Sequence, residues 1–201
     1  MDQLNRRRFL EVTAAAAVGA RGLSAGRPAP AAGKPMRLGL IIGIGKDPES
    51  AIAKVHDLGL PTCQVGVESF EPELVTALRS ALDRYGIEAT SLVVGGPGPE
   101  VYDFYQGPLT IGLVPGEYRA TRIEHIKKAS DFAKKCGIPA VQTHCGFIPE
   151  NPNDPVYKET VKAIREVASY CKQNGQSFRY ETGQETPITL IRAIQDVGLD
   201  N

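Results

Sequence analysis

The side chains best placed for chemistry are a histidine and a glutamate that close two short alternating runs. Residues 140–145 read AVQTHC and residues 177–182 read SFRYET. Successive strand side chains point to opposite faces. Gln142 and His144 therefore share one face of the first run, and Ser177, Arg179 and Glu181 share one face of the second. On neighbouring parallel strands, His144 and Glu181 would stand together at the C-terminal edge. A carboxylate and an imidazole there can share a sugar hydroxyl or a divalent cation; such donors suit Mn²⁺, Mg²⁺, Co²⁺ or Zn²⁺. Each residue alone also fits a structural role, as a hydrogen-bonded histidine or an ion-paired glutamate. Glu68 follows a third run, residues 62–67 (TCQVGV), in phase with Gln64 and Gly66, and is a further lining candidate. Cys63, Cys136, Cys145 and Cys171 form no C-x-x-C pair, which excludes a zinc knuckle or thioredoxin motif and leaves buried apolar thiols.

The elements that must position these residues alternate regularly. Strand-like runs fall at 37–45 (RLGLIIGIG), 62–67, 88–95 (EATSLVVG), 140–145 and 177–182. Between and after them lie helical patterns. Asp47 caps one that runs to about Leu58. Residues 71–85 carry Leu74, Leu78 and Leu82 at i, i+4 spacing. Further helices are expected at 117–135, 154–174 and 186–197, each followed by glycine. Five βα units in series predict an α/β protein with a parallel sheet. Either a barrel or a doubly wound sheet would fit that order. Gln, His, Arg and Glu on one strand face favour a barrel whose lumen opens into a polar site. Residues 96–116 break the rhythm with Gly, Pro, Tyr102, Phe104 and Tyr105. Loops this long are usually lids or binding loops. The three aromatics would either cover a substrate or pack on the loop itself.

The chain has 201 residues and zero formal charge, but the charge is unevenly spread. Residues 1–35 hold six Lys/Arg against two Asp/Glu, a net +4; the remainder holds 17 against 21, a net −4. An acidic body is a poor match for a nucleic-acid backbone. The start, NRRRFL at residues 5–10, resembles the twin-arginine export consensus. A weakly apolar stretch, 12–20, and small residues leading to Lys34-Pro35 follow it. Residues 1–35 are thus expected to be a twin-arginine signal and linker, read by the export machinery and directing the protein to the periplasm or outside. Residues 36–201 are expected to be the folded body, with no stable membrane span.

The runs 142–150 (QTHCGFIPE), 180–187 (YETGQETP) and 102–115 (YDFYQGPLTIGLVP) resemble the xylose isomerase-like TIM barrels, the sugar phosphate isomerase/epimerase group. The similarity covers residues 37–201. It implies a partial (β/α)₈ barrel with five of eight βα units, since a whole barrel needs roughly 250 residues. It also implies a metal-dependent isomerase or epimerase that moves a proton alpha to a carbonyl of a small sugar or polyol. Glu181 would be metal ligand and general base. His144, Glu68, Tyr102, Phe104 and Tyr105 would bind substrate. The family pattern continues with an Asp, a His and a second Glu ligand on later strands. The metal site expected here is therefore incomplete, and the chain is expected to be a fragment that is inactive alone. A non-catalytic remnant or sugar-binding barrel is the alternative. An abasic-site endonuclease-like metal hydrolase suits the chain less well, because only three His occur and the body is acidic.

Overall fold

The computed structural model describes residues 36–201. The expected export signal, residues 1–35, lies outside the described residues. Five strands, β1 (Gly39–Gly43), β2 (Thr62–Gly66), β3 (Glu88–Val93), β4 (Ala140–His144) and β5 (Ser177–Glu181), form one parallel sheet in the order β1-β2-β3-β4-β5. The helices are α1 (Pro48–Asp57), α2 (Pro72–Tyr85), α3 (Gly107–Thr110), α4 (Gly116–Cys136), α5 (Pro155–Gln173) and α6 (Pro187–Val197).

This order decides between the two architectures. A doubly wound sheet reverses its strand order at a switch point and so covers both faces with helices. Here each crossover advances one strand in the same direction. With the right-handed connection general to parallel βαβ units, that keeps the helices on one side. The other side is left as a lumen: Ile41 and Arg179 on it are exposed. The protein is a partial (β/α)₈ barrel.

Local sequence explains the elements. Pro48, Pro72, Pro155 and Pro187 open their helices at the first turn, where a missing N–H costs nothing. The Asp47, Asp154 and Thr186 side chains accept from the N–H groups of Ser50, Val156 and Thr189. On the helix-facing side, Val65, Leu92, Val141 and Phe178 stand in register across four strands, and all are buried. Ile52, Val55, Leu78, Ala129, Phe132, Ile164 and Val167 from the helices close over them.

Strand boundaries are shorter than the runs suggest. β1 spans five residues, because Gly45 turns the chain toward α1. The four cysteines are free and buried. Burial pushes the Cys63, Cys136 and Cys171 thiols up to about 11 and raises Cys145 as well, so all four stay protonated and inert. No described helix is long and apolar enough to cross a membrane.

The 96–116 loop is ordered by one side chain. Arg122 of α4 is 1 % exposed. Its guanidinium donates to the carbonyls of Pro97 (3.1 Å), Pro99 (2.9 Å), Thr110 (2.6 Å) and Gly112 (2.8 Å), and lies over the Tyr118 ring at 4.9 Å. Four loop carbonyls that would otherwise lack partners are satisfied by one fixed fork of donors. Gly96 leaves room for it, since a Cβ there would collide with the Arg122 stem. The far end of the loop crosses the end of β4. The Leu113 N–H donates to the Cys145 carbonyl at 2.9 Å, and Gly112 and Gly146 approach backbone to backbone with φ of 70° and 96°.

Candidate active site

The register pairs His144 with Glu181 at the C-terminal ends of β4 and β5. The two side chains are 18 % and 29 % exposed, and His144 Nε2 stands 3.3 Å from Glu181 Oε1. Both line a cavity of about 300 Å³ with Val93, Glu100, Tyr102 and Thr143. Barrel active sites are built on this face.

A polar chain crosses the lumen beneath them. Ser91 of β3 donates to Gln142 Oε1 at 3.3 Å, and Gln142 Nε2 reaches Glu181 Oε2 at 3.5 Å. The second contact is long and therefore weak. Ser91 is wholly buried and Gln142 is 8 % exposed, so each depends on the other for a partner. The carboxylate is thus approached by the imidazole at one oxygen and by an amide at the other.

His144 Nδ1 lies 3.1 Å from Gln184 Oε1. A neutral imidazole carries one N–H, so it cannot donate to both Gln184 and Glu181. Three arrangements satisfy every atom. An imidazolium donates to both neighbours. In the second, Nε2–H faces Glu181 and the Gln184 amide is turned so that its NH₂ donates to Nδ1. In the third, Nδ1–H donates to Gln184 Oε1 and a protonated Glu181 donates to Nε2. In all three, a proton lies between His144 and Glu181.

Tyr102 packs edge-on against the His144 ring, with centroids 5.3 Å apart, and its hydroxyl donates to Glu100 Oε2 at 3.4 Å. Burial, then the charges of Glu100 and Glu181, push the Tyr102 phenol up to about 12. It stays a hydrogen-bond donor throughout the physiological range. Burial also raises the Glu185 carboxyl above its ordinary value.

His144, Glu181 and Tyr102 therefore share one cavity. Phe104 and Tyr105 line an adjoining cavity of about 380 Å³ with Tyr102, Ile111, Phe147 and Gln184. Glu68 is exposed on the loop after β2 and lines neither. Glu100 joins the site unannounced. It comes from the irregular loop after β3, where no strand phase marks it. Gln142 was legible from its phase with His144. A larger cavity of about 560 Å³, lined by Arg37, Ile41, Gln64, Glu88 and Arg179, opens at the opposite end of the strands, away from His144 and Glu181.

A divalent ion was tested against these donors. Two ligands at right angles on one ion, each at roughly 2.1 Å, lie about 3 Å apart. The 3.3 Å between His144 Nε2 and Glu181 Oε1 meets that spacing. Among the described residues, however, no group of three or more His, Cys, Asp or Glu could hold a metal. Hard dications need several oxygen or nitrogen ligands. Two donors do not complete a shell, so no chemical step is assigned to an ion.

A family model described as the xylose isomerase-like TIM barrel matches residues 52–201, and the chain belongs to that family. No curated protein matches it. Among solved structures it is similar to a xylose isomerase domain protein from Planctomyces limnophilus, with a TM-score of 0.74 and 33% identity over 82% of this chain and 60% of that one. It is also similar to a D-psicose 3-epimerase solved in the presence of D-fructose, with a TM-score of 0.61 and 16% identity over 83% of this chain and 61% of that one. A third is a xylose isomerase-like TIM barrel protein from Mycobacterium smegmatis in complex with magnesium, with a TM-score of 0.54 and 17% identity over 74% of this chain and 52% of that one. The chain spans less than two thirds of the length of each of these structures. The last two likenesses bear on the fold alone.

Proposed function

We propose that the His144–Glu181 cavity belongs to a sugar isomerase or epimerase that moves a proton on the carbon next to a carbonyl of a small sugar or polyol. The observation that carries this reading is the convergence of a half-buried carboxylate and imidazole, 3.3 Å apart, at the C-terminal edge of the lumen. Glu181 takes the proton from the carbon; isomerisation returns it to the neighbouring carbon, whereas epimerisation needs a second acid on the opposite face of the sugar to return a proton to the same carbon. His144 holds a proton beside the carboxylate and contacts a substrate oxygen. Gln142 fixes the carboxylate rotamer through Ser91. The Tyr102 hydroxyl, whose proton goes to Glu100, accepts from a sugar hydroxyl, with Phe104 and Tyr105 beside it. Glu68 reaches substrate only through a rearrangement of its loop.

Family membership supports a divalent ion (Mn²⁺, Mg²⁺, Co²⁺ or Zn²⁺) as cofactor, with Glu181 as one ligand. Donors beyond Glu181 are then required, because His144 Nε2 carries a proton in the role given above. The twin-arginine-like start supports export to the periplasm or beyond. A fusion of residues 1–35 to a reporter tests this by its fractionation with periplasmic contents, lost when Arg6, Arg7 and Arg8 become Lys.

The decisive experiment incubates the protein with small aldoses and ketoses in deuterated water, with each ion in turn. Proton NMR then follows exchange at the carbon alpha to the carbonyl. Ion-dependent exchange that Glu181→Gln abolishes supports the reading. Sugar binding without exchange favours the second reading, a non-catalytic sugar-binding barrel. Absence of both sinks the assignment.

A further inference from the structure

The cavity beside the proposed proton-transfer site has a different chemistry. Phe104, Tyr105, Phe147, Ile111 and the ring of Tyr102 form its walls, and Gln184 stands at its boundary. Phe104 and Phe147 meet edge to face, with centroids 6.1 Å apart. Phe104 is 81 % and Tyr105 is 90 % exposed, so neither ring is used to hold the fold together. Gly107 makes room for Phe147, because a Cβ there would press into that ring.

The two cavities adjoin. Tyr102 lines both, and Gln184 of the aromatic cavity is hydrogen-bonded to His144 of the polar one. Each volume lies at the low end of the roughly 300–1,000 Å³ typical of small-ligand pockets, and together they reach the middle of that range. A free monosaccharide presents hydroxyls around its whole edge, which suits the polar cavity. It leaves the aromatic cavity unfilled. Flat rings with apolar faces stack on Phe and Tyr, and such stacks add favourable energy beyond the area they bury.

We infer that the aromatic cavity is a second subsite that takes a second ring joined through a hydroxyl of the reacting sugar, whose own carbonyl carbon stays free, so that the substrate is a reducing disaccharide rather than a free monosaccharide. This rests on the isomerase or epimerase reading and narrows its substrate class. The reacting sugar lies against His144 and Glu181. The second ring passes Tyr102 and lies between Phe104, Tyr105 and Phe147. It is another sugar, whose apolar face stacks on these rings.

Saturation-transfer NMR with D-glucose and cellobiose tests this on the full chain. The expected result is at least tenfold tighter binding of cellobiose than of glucose. Phe104→Ala with Tyr105→Ala should remove that advantage, so that the two sugars bind alike. Both substitutions fall on exposed rings, so the fold should survive, and an unchanged urea midpoint checks it. Equal binding of glucose and cellobiose by the parent, or an advantage of cellobiose that the double variant keeps, overturns the subsite and leaves the sugar-active reading standing. The same holds if the double variant instead abolishes a self-association seen by sedimentation. Binding of neither sugar overturns both.

Discussion

The two faces of the sheet differ in what their side chains are for. On the helix side, Val65, Leu92, Val141 and Phe178 repeat the same apolar choice across four strands. On the lumen side, Ser91, Gln142, His144, Arg179 and Glu181 are all polar, and the few contacts that join Ser91, Gln142, His144 and Glu181 are long. The first face gains from area removed from water and is insensitive to which apolar residue provides it. The second gains little net energy, since each hydrogen bond replaces one to water. Stability is therefore concentrated on one side and chemistry on the other, and the two should respond separately to substitution.

The largest expected effect breaks the helix-side face. Leu92→Ala removes a wholly buried side chain and should cost about 3–4 kcal/mol, read as a fall in the urea midpoint. A smaller loss than that of the polar variants below would refute the division. Arg122→Met comes next. It strips donors from four loop carbonyls and should cost about 2–3 kcal/mol. Limited proteolysis should then cut within 96–116, where the parent resists. Gln142→Leu sharpens the contrast. It orphans the buried Ser91 hydroxyl, a cost of about 1 kcal/mol. It should nevertheless weaken sugar binding or exchange strongly, because Glu181 loses its amide contact. The smallest effect belongs to Glu185→Gln. Burial raises this carboxyl, so its stabilising neutral form is present in acid and lost as pH rises through the folded-state value. The variant should raise the urea midpoint slightly at pH 7 and leave it unchanged at pH 4.

The helix side was readable in advance because its signals are local and redundant. Proline at the first turn, a capping Asp or Thr and apolar spacing fall within a few residues of each other, so five βα units emerged with ends correct to within two or three residues. Strand phase likewise put Gln142, His144 and Glu181 on a common face. What phase leaves open lies where it stops. Glu68 continues the alternation of β2, but the strand ends at Gly66 and the chain bends at residue 68. Glu100 enters the site from irregular backbone that carries no period. Arg122 sits in a charge-rich helix, where nothing local marks it as buried. Its burial is decided by carbonyls 10 to 25 residues earlier in the chain. The short helix α3 hid in the same loop, four residues being too few to show periodicity.

The crossing of Gly112 and Gly146 bears on how this protein could be re-engineered. A side chain at either position would run into the other strand's backbone, so the junction tolerates no diversity. Randomising positions 101–106 while both glycines and Arg122 stay fixed would alter the aromatic rim and leave its anchor to the end of β4 in place. Selection for new sugar preferences would then search pocket shape alone, with misfolded clones largely absent from the library.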